Sequence, residues 1–184
     1  RKWAKYMNTY LRPWAAKLDS NSRLHPNFKL HGTVTGRLSG EDGVHQVPRD
    51  NFIRRLIGAP PGWSFLEIDG SQIELRVAAA VAHENTMLRI YATGGDIHRT
   101  TAAAVAHKAA EAVTGDERKK AKAVNFGFLY GMGWRKFKTY AWEKYGVRVS
   151  DDEAKAFRER FFELYHDLPE WHRKMRNTVR KLGY

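Results

Sequence analysis

Polar and apolar positions along the second half of the chain repeat at helical spacing, and the residues that start and stop helices fall between the repeats. Thr114-Gly-Asp-Glu117 has the form of a capping box opening a helix over about 115–131, and Ser150-Asp-Asp-Glu153 opens another that runs through Tyr165. A helix over 134–145 is stopped by Gly146, and Pro169 begins a last one reaching about Leu182. Upstream, Ser71-Gln-Ile-Glu74 starts a helix from Leu75 to His83. A second covers 84–91 and ends at Thr93-Gly-Gly95, and Asp96 caps a third. Before Asp69 the pattern changes. Residues 28–38 read as a strand with Gly36 at a turn, followed by a loop at 39–43, and 53–57 and 63–69 read as buried strands separated by Gly58-Ala-Pro-Pro-Gly62. Residues 1–18 read as a basic, aromatic-rich helix ending near Pro13 or just beyond it. The fold class expected is α+β, mostly helical, with a few strands ahead of Asp69.

The stretch Arg118 to Gly131 carries the most chemistry. A helix advances about 100° per residue, so each step of four drifts only about 40°. Arg118, Lys122, Phe126 and Tyr130 therefore share a stripe about 120° wide, with two cations near the helix start and two rings further along. Cations near free helix amides suit phosphate oxygens, and the rings offer a surface on which a base or sugar can stack. Taken alone, basic residues more often form a solvated face, and rings at helical spacing more often belong to a core.

Composition sharpens the picture. Lys and Arg number 32 against 20 Asp and Glu in 184 residues, giving a net charge of +12 and a pI near 10.0. Such an excess calls for a polyanionic partner, nucleic acid first and an acidic membrane surface second. There is no cysteine, which excludes disulfide scaffolds and thiolate metal sites and accords with a cytoplasmic location. The longest apolar run, Val77 to Ala82, is too short to span a bilayer, so no membrane partner is expected. No repeat, low-complexity segment or signal peptide is visible. The chain begins at Arg1 rather than Met and is expected to be a piece of a longer protein.

Four segments together resemble the family A DNA polymerases, the DNA polymerase I family. Arg118…Lys122-Ala-Val-Asn-Phe126-Gly-x-x-Tyr130-Gly131 resembles motif B, the fingers helix of that family. Asp69-Gly-Ser-Gln-Ile-Glu-Leu-Arg76 resembles motif A, with Gly70 where tyrosine is usual. Asp96-Ile-His98-x-x-Thr-Ala102 and Thr33-x-Thr-Gly-Arg37-Leu-Ser39 match two further segments, and Val44-His45-Gln46-Val-Pro48 departs from the second of the DNA-facing segments at His45. Small residues at position 70 occur in some phage members, and a phage origin is one expectation.

The resemblance spans roughly 28–184 and implies part of the palm sheet followed by the helical fingers subdomain of a right-hand polymerase. In these terms 1–27 is the end of the thumb or connection, 28–74 a palm portion and 75–184 the fingers. It implies a DNA-templated DNA polymerase adding dNTPs to a primer 3′-hydroxyl by two-metal phosphoryl transfer. Asp69 and the Gly70 carbonyl are the implied Mg²⁺ ligands, with Asp69 and Lys122 catalytic. Arg118, Lys122, His98, Phe126, Tyr130, Glu74, Gln72 and Ser71 are the implied nucleotide site. There Glu74 is the steric gate against a ribose 2′-hydroxyl, although Ser71 and Glu74 also read as a capping box. Arg37, His45 and Gln46 are implied to contact DNA. The partner carboxylate of motif C, expected beyond Tyr184, is absent, so the isolated chain is expected to be inactive or weak. Its partners would be primer-template DNA, dNTPs and the remainder of the polymerase. His166-Asp167 is a decoy for motif C, because it ends a helix and precedes Leu-Pro. A single-subunit RNA polymerase is the alternative enzyme and a non-catalytic basic DNA-binding module the alternative of another class. Glu74 and Phe126 argue against the first, and the acidic Asp69 and Glu74 against the second.

Overall fold

The computed structural model describes residues 1–41, 43–48 and 51–183. Asp42, within the loop expected at 39–43, and Tyr184, the end of the range assigned to the fingers, lie outside the described residues. The chain divides into two compact units, Arg1–Ile68 and Asp69–Tyr184.

In the first unit, α1 (Lys2–Lys5), a π-helical stretch (Tyr6–Leu11) and α2 (Arg12–Ala15) follow one another without a break. The expected helix is therefore present and ends at Ala15, just beyond Pro13 as expected. Proline lacks the N–H for an α bond and its ring crowds the carbonyl four residues back, so the wider π turns stand just ahead of it. Tyr6, Tyr10 and Trp14 from this run bury against Ile53, flanked by Leu11, Leu24, Val44 and Val47. The strand expected over 28–38 is reduced to β1 (Phe28–Lys29), paired antiparallel with β2 (Ser39–Gly40), Phe28 opposite Gly40. Between them Gly36 takes a positive φ of 73°, as expected of a turn glycine. A 3₁₀ turn (Val44–Gln46) and α3 (Asn51–Arg54) complete the unit.

Both buried strands expected before Asp69 are overturned. Ile53 is buried, but on α3, and residues 63–69 form neither strand nor helix. Trp63, Phe65, Leu66 and Ile68 are 76%, 69%, 83% and 85% exposed. β propensity describes fit to a pleated surface, and no described segment pairs with 63–69, so its apolar side chains have nothing to cover them.

The second unit is helical: α4 (Ile73–Ala82), α5 (Asn85–Ala92), α6 (Ile97–Ala106), a 3₁₀ turn (Ala110–Ala112), α7 (Gly115–Leu129), α8 (Trp134–Tyr145), α9 (Asp151–Leu164) and α10 (Leu168–Leu182). Both capping boxes form as expected. The Thr114 hydroxyl accepts the Glu117 amide at 3.3 Å while Glu117 accepts the Thr114 amide at 2.8 Å, and Ser150 and Glu153 do the same at 3.1 and 2.8 Å. Asp96 caps α6 through the amides of His98 and Arg99. Ser71 and Glu74 do not form a capping box; α4 begins instead behind Gln72, which adopts a left-handed φ of 56° with no side-chain cap bond. Glu84, fully buried, caps α5 through Thr86 N–H at 2.8 Å and takes the Asp167 amide at 2.9 Å, tying the α4–α5 junction to the start of α10.

The core of this unit gathers around α7. Phe128 packs on Phe137 and Phe161 with ring centroids 4.5 and 5.7 Å apart, and Leu75, Met87, Ile97, Val124, Tyr165 and Leu168 close around them. Ala121, Ala123, Val124, Asn125, Gly127, Phe128 and Leu129 are all buried, so α7 is enclosed over most of its circumference from Ala121 onward.

Candidate active site

The open part of α7 is the stripe expected from its sequence. Arg118 and Phe126 are half-buried, Lys122 is exposed and Tyr130 is 64% exposed; from Ala121 to Leu129 the other residues of the helix are buried, whereas its first turns also expose Lys119 and Lys120. Glu117, beside the stripe, is held at the helix start by the Lys108 ammonium and by Thr114, which bring its carboxyl down to about 2. The stripe thus keeps its positive end despite an acidic first turn.

Arg118 is anchored rather than loose. Its Nε donates to Asp96 Oδ2 at 2.6 Å, while Asp96 Oδ1 receives the His98 and Arg99 amides at 3.0 and 3.3 Å. Burial pushes the Asp96 carboxyl up, but the Arg118 hydrogen bond and the helix amides outweigh it, and the group stays ionised below the ordinary aspartate range. One carboxylate therefore caps α6 and aims Arg118, whose two Nη nitrogens make no hydrogen bond among the described residues. Lys122 has no carboxylate within ion-pair distance among the described residues.

His98 lies behind these cations, 2% exposed, its ring centroid 6.0 Å from that of Phe126. Burial, opposed by Asp96 and reinforced by Arg118 and Lys122, brings its pKa down to about 4, so it is neutral at pH 7. In the free chain the stripe therefore offers two cations, Arg118 and Lys122, and His98 beside them is a neutral ring. Asn125 Nδ2 meets His98 Nδ1 at 2.7 Å, and Thr101 and the Tyr165 hydroxyl continue the chain of contacts.

Glu74 and Tyr130 share a cavity of about 430 Å³ whose other walls include Ile73, Val77, Val81 and Trp171. Gln72 accepts a hydrogen bond from the Tyr91 hydroxyl at 3.1 Å, and Arg76 lies 4.2 Å over the Tyr91 ring. Burial, against the nearby Arg76 charge, lifts Tyr91 to about 12, so it remains a donor to Gln72. Ser71 is exposed and its carbonyl accepts from Arg76 Nε at 2.9 Å.

Asp69 and Gly70 are exposed in irregular backbone, and among the described residues no hydrogen bond or ion pair joins Asp69 to Arg118 or Lys122. A Cβ built on Gly70 meets Ile73 Cβ at 3.4 Å, an ordinary contact, so the local backbone does not demand glycine there. The hard oxygens of Asp69 and Gly70 suit Mg²⁺ in kind but not in number. No group of three metal-capable side chains occurs among the described residues.

In the first unit Arg37 is exposed, its carbonyl accepting from the Thr33 hydroxyl at 2.9 Å. His45 Nδ1 accepts the Gly40 amide at 3.2 Å, which fixes the ring on β2, and the Gln46 carbonyl accepts from Tyr10 at 2.9 Å while its side chain is exposed.

The structure thus brings together Arg118, His98 and Phe126, and separately Glu74 and Tyr130. Sequence reasoning missed Asp96 as the anchor of Arg118, and Asn125, Thr101 and Tyr165 as the buried support of His98. The available signal was Asn125 itself, a polar residue among Ala121, Val124, Phe128 and Leu129 on the enclosed side of the helix.

A family model described as DNA polymerase family A matches residues 1–184. The chain is similar to the DNA polymerase I of Aquifex aeolicus (strain VF5), 40% identical over 164 residues that make up 89% of this chain and 28% of that protein. It is 37% identical over 190 residues to the thermostable DNA polymerase I of Thermus caldophilus, covering 100% of this chain and 22% of the relative. The chain therefore spans less than a third of these relatives. Among solved structures, the POL domain of Pol1 from M. smegmatis, in complex with DNA primer-template and dNTP, superposes with a TM-score of 0.80 at 24% identity over 94% of this chain and 30% of that one. No helix among the described residues is long and apolar enough to cross a membrane.

Proposed function

Because the chain belongs to DNA polymerase family A, we propose that it is the nucleotide-gripping part of a DNA-templated DNA polymerase, with primer-template DNA and dNTPs as its partners. The carrying observation is the α7 stripe: two cations and two rings on one face of a helix whose other residues are buried from Ala121 to Leu129. A triphosphate laid along it meets Arg118, aimed by Asp96, and the exposed Lys122, while sugar and base lie against Phe126 and toward Tyr130. Glu74, in the cavity next to Tyr130, is placed in this reading to exclude a 2′-hydroxyl. Lys122, the more exposed cation, serves the leaving pyrophosphate.

The reaction in the whole enzyme is attack of the primer 3′-hydroxyl on the α-phosphate, with release of pyrophosphate. Asp69 and the Gly70 carbonyl would contribute to holding Mg²⁺, which when bound offsets phosphate charge. Their number is too small to enclose the ion, so no step is derived through it, and the remaining carboxylate belongs in this reading to the rest of the polymerase. Arg37, His45 and Gln46 serve the primer-template, 1–27 belongs to the thumb connection, 28–74 to the palm and 75–184 to the fingers. Bacterial relatives and this substrate class accord with a cytoplasmic location.

The test is dTTP binding at low salt, followed by primer extension with the remainder of the polymerase supplied in trans. Lys122→Ala should leave the helical signal intact and weaken dTTP binding about tenfold or more, the range of one charge-assisted contact. Asp69→Ala should abolish complemented extension. Undiminished dTTP affinity in Lys122→Ala, or extension with rNTPs as readily as with dNTPs, would refute the reading.

A further inference from the structure

A proton count at the buried end of the site leads further. Thr101 Oγ lies 2.8 Å from each of three oxygens: the Ile97 carbonyl, Asn125 Oδ1 and the Tyr165 hydroxyl. Thr101, Asn125 and Tyr165 are wholly buried. A hydroxyl has one proton, and two of those three oxygens only accept. With Asn125 Nδ2 turned toward His98 Nδ1 at 2.7 Å, Thr101 can serve Ile97 or Asn125 but not both. The same orientation makes His98 Nδ1 an acceptor, so the ring carries its proton on Nε2. A second proton, on Nδ1, would set N–H against N–H.

A half-turn of the Asn125 amide removes both conflicts. Nδ2 then donates to Thr101 Oγ, which also accepts from Tyr165 and gives its own proton to Ile97. Oδ1 now faces His98 Nδ1 and accepts from it, which an imidazolium satisfies fully. The first orientation excludes a proton on Nδ1 and with it the imidazolium, whereas the second takes a proton on Nδ1, from the imidazolium or from the neutral Nδ1–H tautomer.

We propose that Asn125 is a two-position amide that sets the protonation state of His98, and that triphosphate binding on the α7 stripe drives it from the neutral to the imidazolium setting. The inference rests on the reading of that stripe as a phosphate site. The proton comes from bulk water and only an N–H bond forms. The charges facing His98 decide the direction: Asp96 from its own helix favours the second proton, Arg118 and Lys122 from α7 oppose it, and Tyr165 from α9 acts through Thr101. A triphosphate seated on Arg118 and Lys122 cancels their opposition and leaves Asp96 and its own oxygens in favour. Asn125 acts on the phosphate only through His98 and is a positioning residue. The third cation missing from the free chain is thereby supplied when the substrate arrives.

The experiment is ¹⁵N NMR of the histidine rings and side-chain amides of the 184-residue chain, with dTTP and separately with inorganic tripolyphosphate, binding being followed independently by calorimetry. In the free chain at pH 7, His98 should be neutral with its proton on Nε2. At saturation it should be doubly protonated, and the Asn125 amide signals should move with it. Asn125→Asp, whose carboxylate can only accept, should raise the His98 midpoint by two pH units or more without ligand. Binding with His98 still singly protonated overturns the proposal, as does an unchanged midpoint in Asn125→Asp. If neither triphosphate binds, the phosphate-site reading fails, and Asn125→Asp still decides the role of the amide. If that variant does not fold, the wild-type titration decides.

Discussion

Gly127→Ala tests the packing that holds the stripe in place. In an ordinary helix interior this change stabilises by about 0.5–1 kcal/mol, because alanine has less backbone entropy to lose. Here an added Cβ would lie 2.8 Å from Cδ2 and 3.2 Å from Cε2 of Phe137. The shorter of these falls 0.6 Å inside the 3.4 Å at which ordinary contact begins. Phe137 cannot swing aside, since it is 1% exposed and its ring packs against Phe128 with centroids 4.5 Å apart and planes tilted by 35°. Overpacking of this kind costs about 1–3 kcal/mol. Against the propensity gain, the net expectation is a loss of about 1–2 kcal/mol, which for a unit of this size lowers the melting temperature by about 4 °C per kcal/mol. Helical ellipticity against temperature, with urea titration as a second measure, reads it. Because the strain falls between α7 and α8 one residue from Phe126, dTTP affinity should fall as well. A variant that melts at or above the parent temperature would refute the reasoning, since propensity would then have outweighed the contact.

Two further expectations concern α7 and its surroundings. Thr114→Ala removes one half of a capping box and should destabilise the helical unit by about 1 kcal/mol, read in the same melts, whereas Thr114→Ser should restore most of it. Acidification should weaken the fold in two stages. The unfolded chain takes up a proton at His98 near 6.5 and the folded one only near 4, so stability present above pH 6.5 is lost as pH falls toward 4, by about 3 kcal/mol in all. Glu117, ionised down to about 2 by Lys108 and Thr114, adds a second loss between its unfolded value of 4.5 and that point. Urea midpoints from pH 8 to pH 3 measure both; His98→Gln should flatten the first stage, and an unchanged slope in that variant would argue against it.

The sequence announces features whose causes are local. Thr114 with Glu117, Ser150 with Glu153, and Asp96 ahead of Ile97 satisfy helix amides from three residues away or fewer, so spacing alone reveals them. Gly146 ends α8 with a φ of 66° for an equally local reason. The stripe was legible too, because helix geometry fixes which residues share a face. What depends on a partner was not. Residues 63–69 have strand composition but nothing described to pair with, and Ile53 finds its neighbours on a helix instead. Asp96 meets Arg118 across 22 positions and His98 meets Asn125 across 27, and no periodicity encodes which polar groups will meet once two helices pack. The neutrality of His98 follows from that enclosure, not from the residues beside it in the chain.

In the 184-residue chain by itself, the open stretch at 63–68 carries a colloidal consequence. Trp63, Phe65, Leu66 and Ile68 stand in water within six residues that contain one charge, Glu67, and no proline. Extended segments of this kind seek an edge to add to, and identical copies supply one another. What holds copies apart is the +12 charge, whose reach is about 10 Å at 0.1 M salt and about 3 Å at 1 M. The same cations that suit the chain to a phosphate backbone thus act as its dispersant. Salt that loosens its grip on nucleic acid also removes the barrier to self-association, so low ionic strength is the condition in which separate copies stay separate.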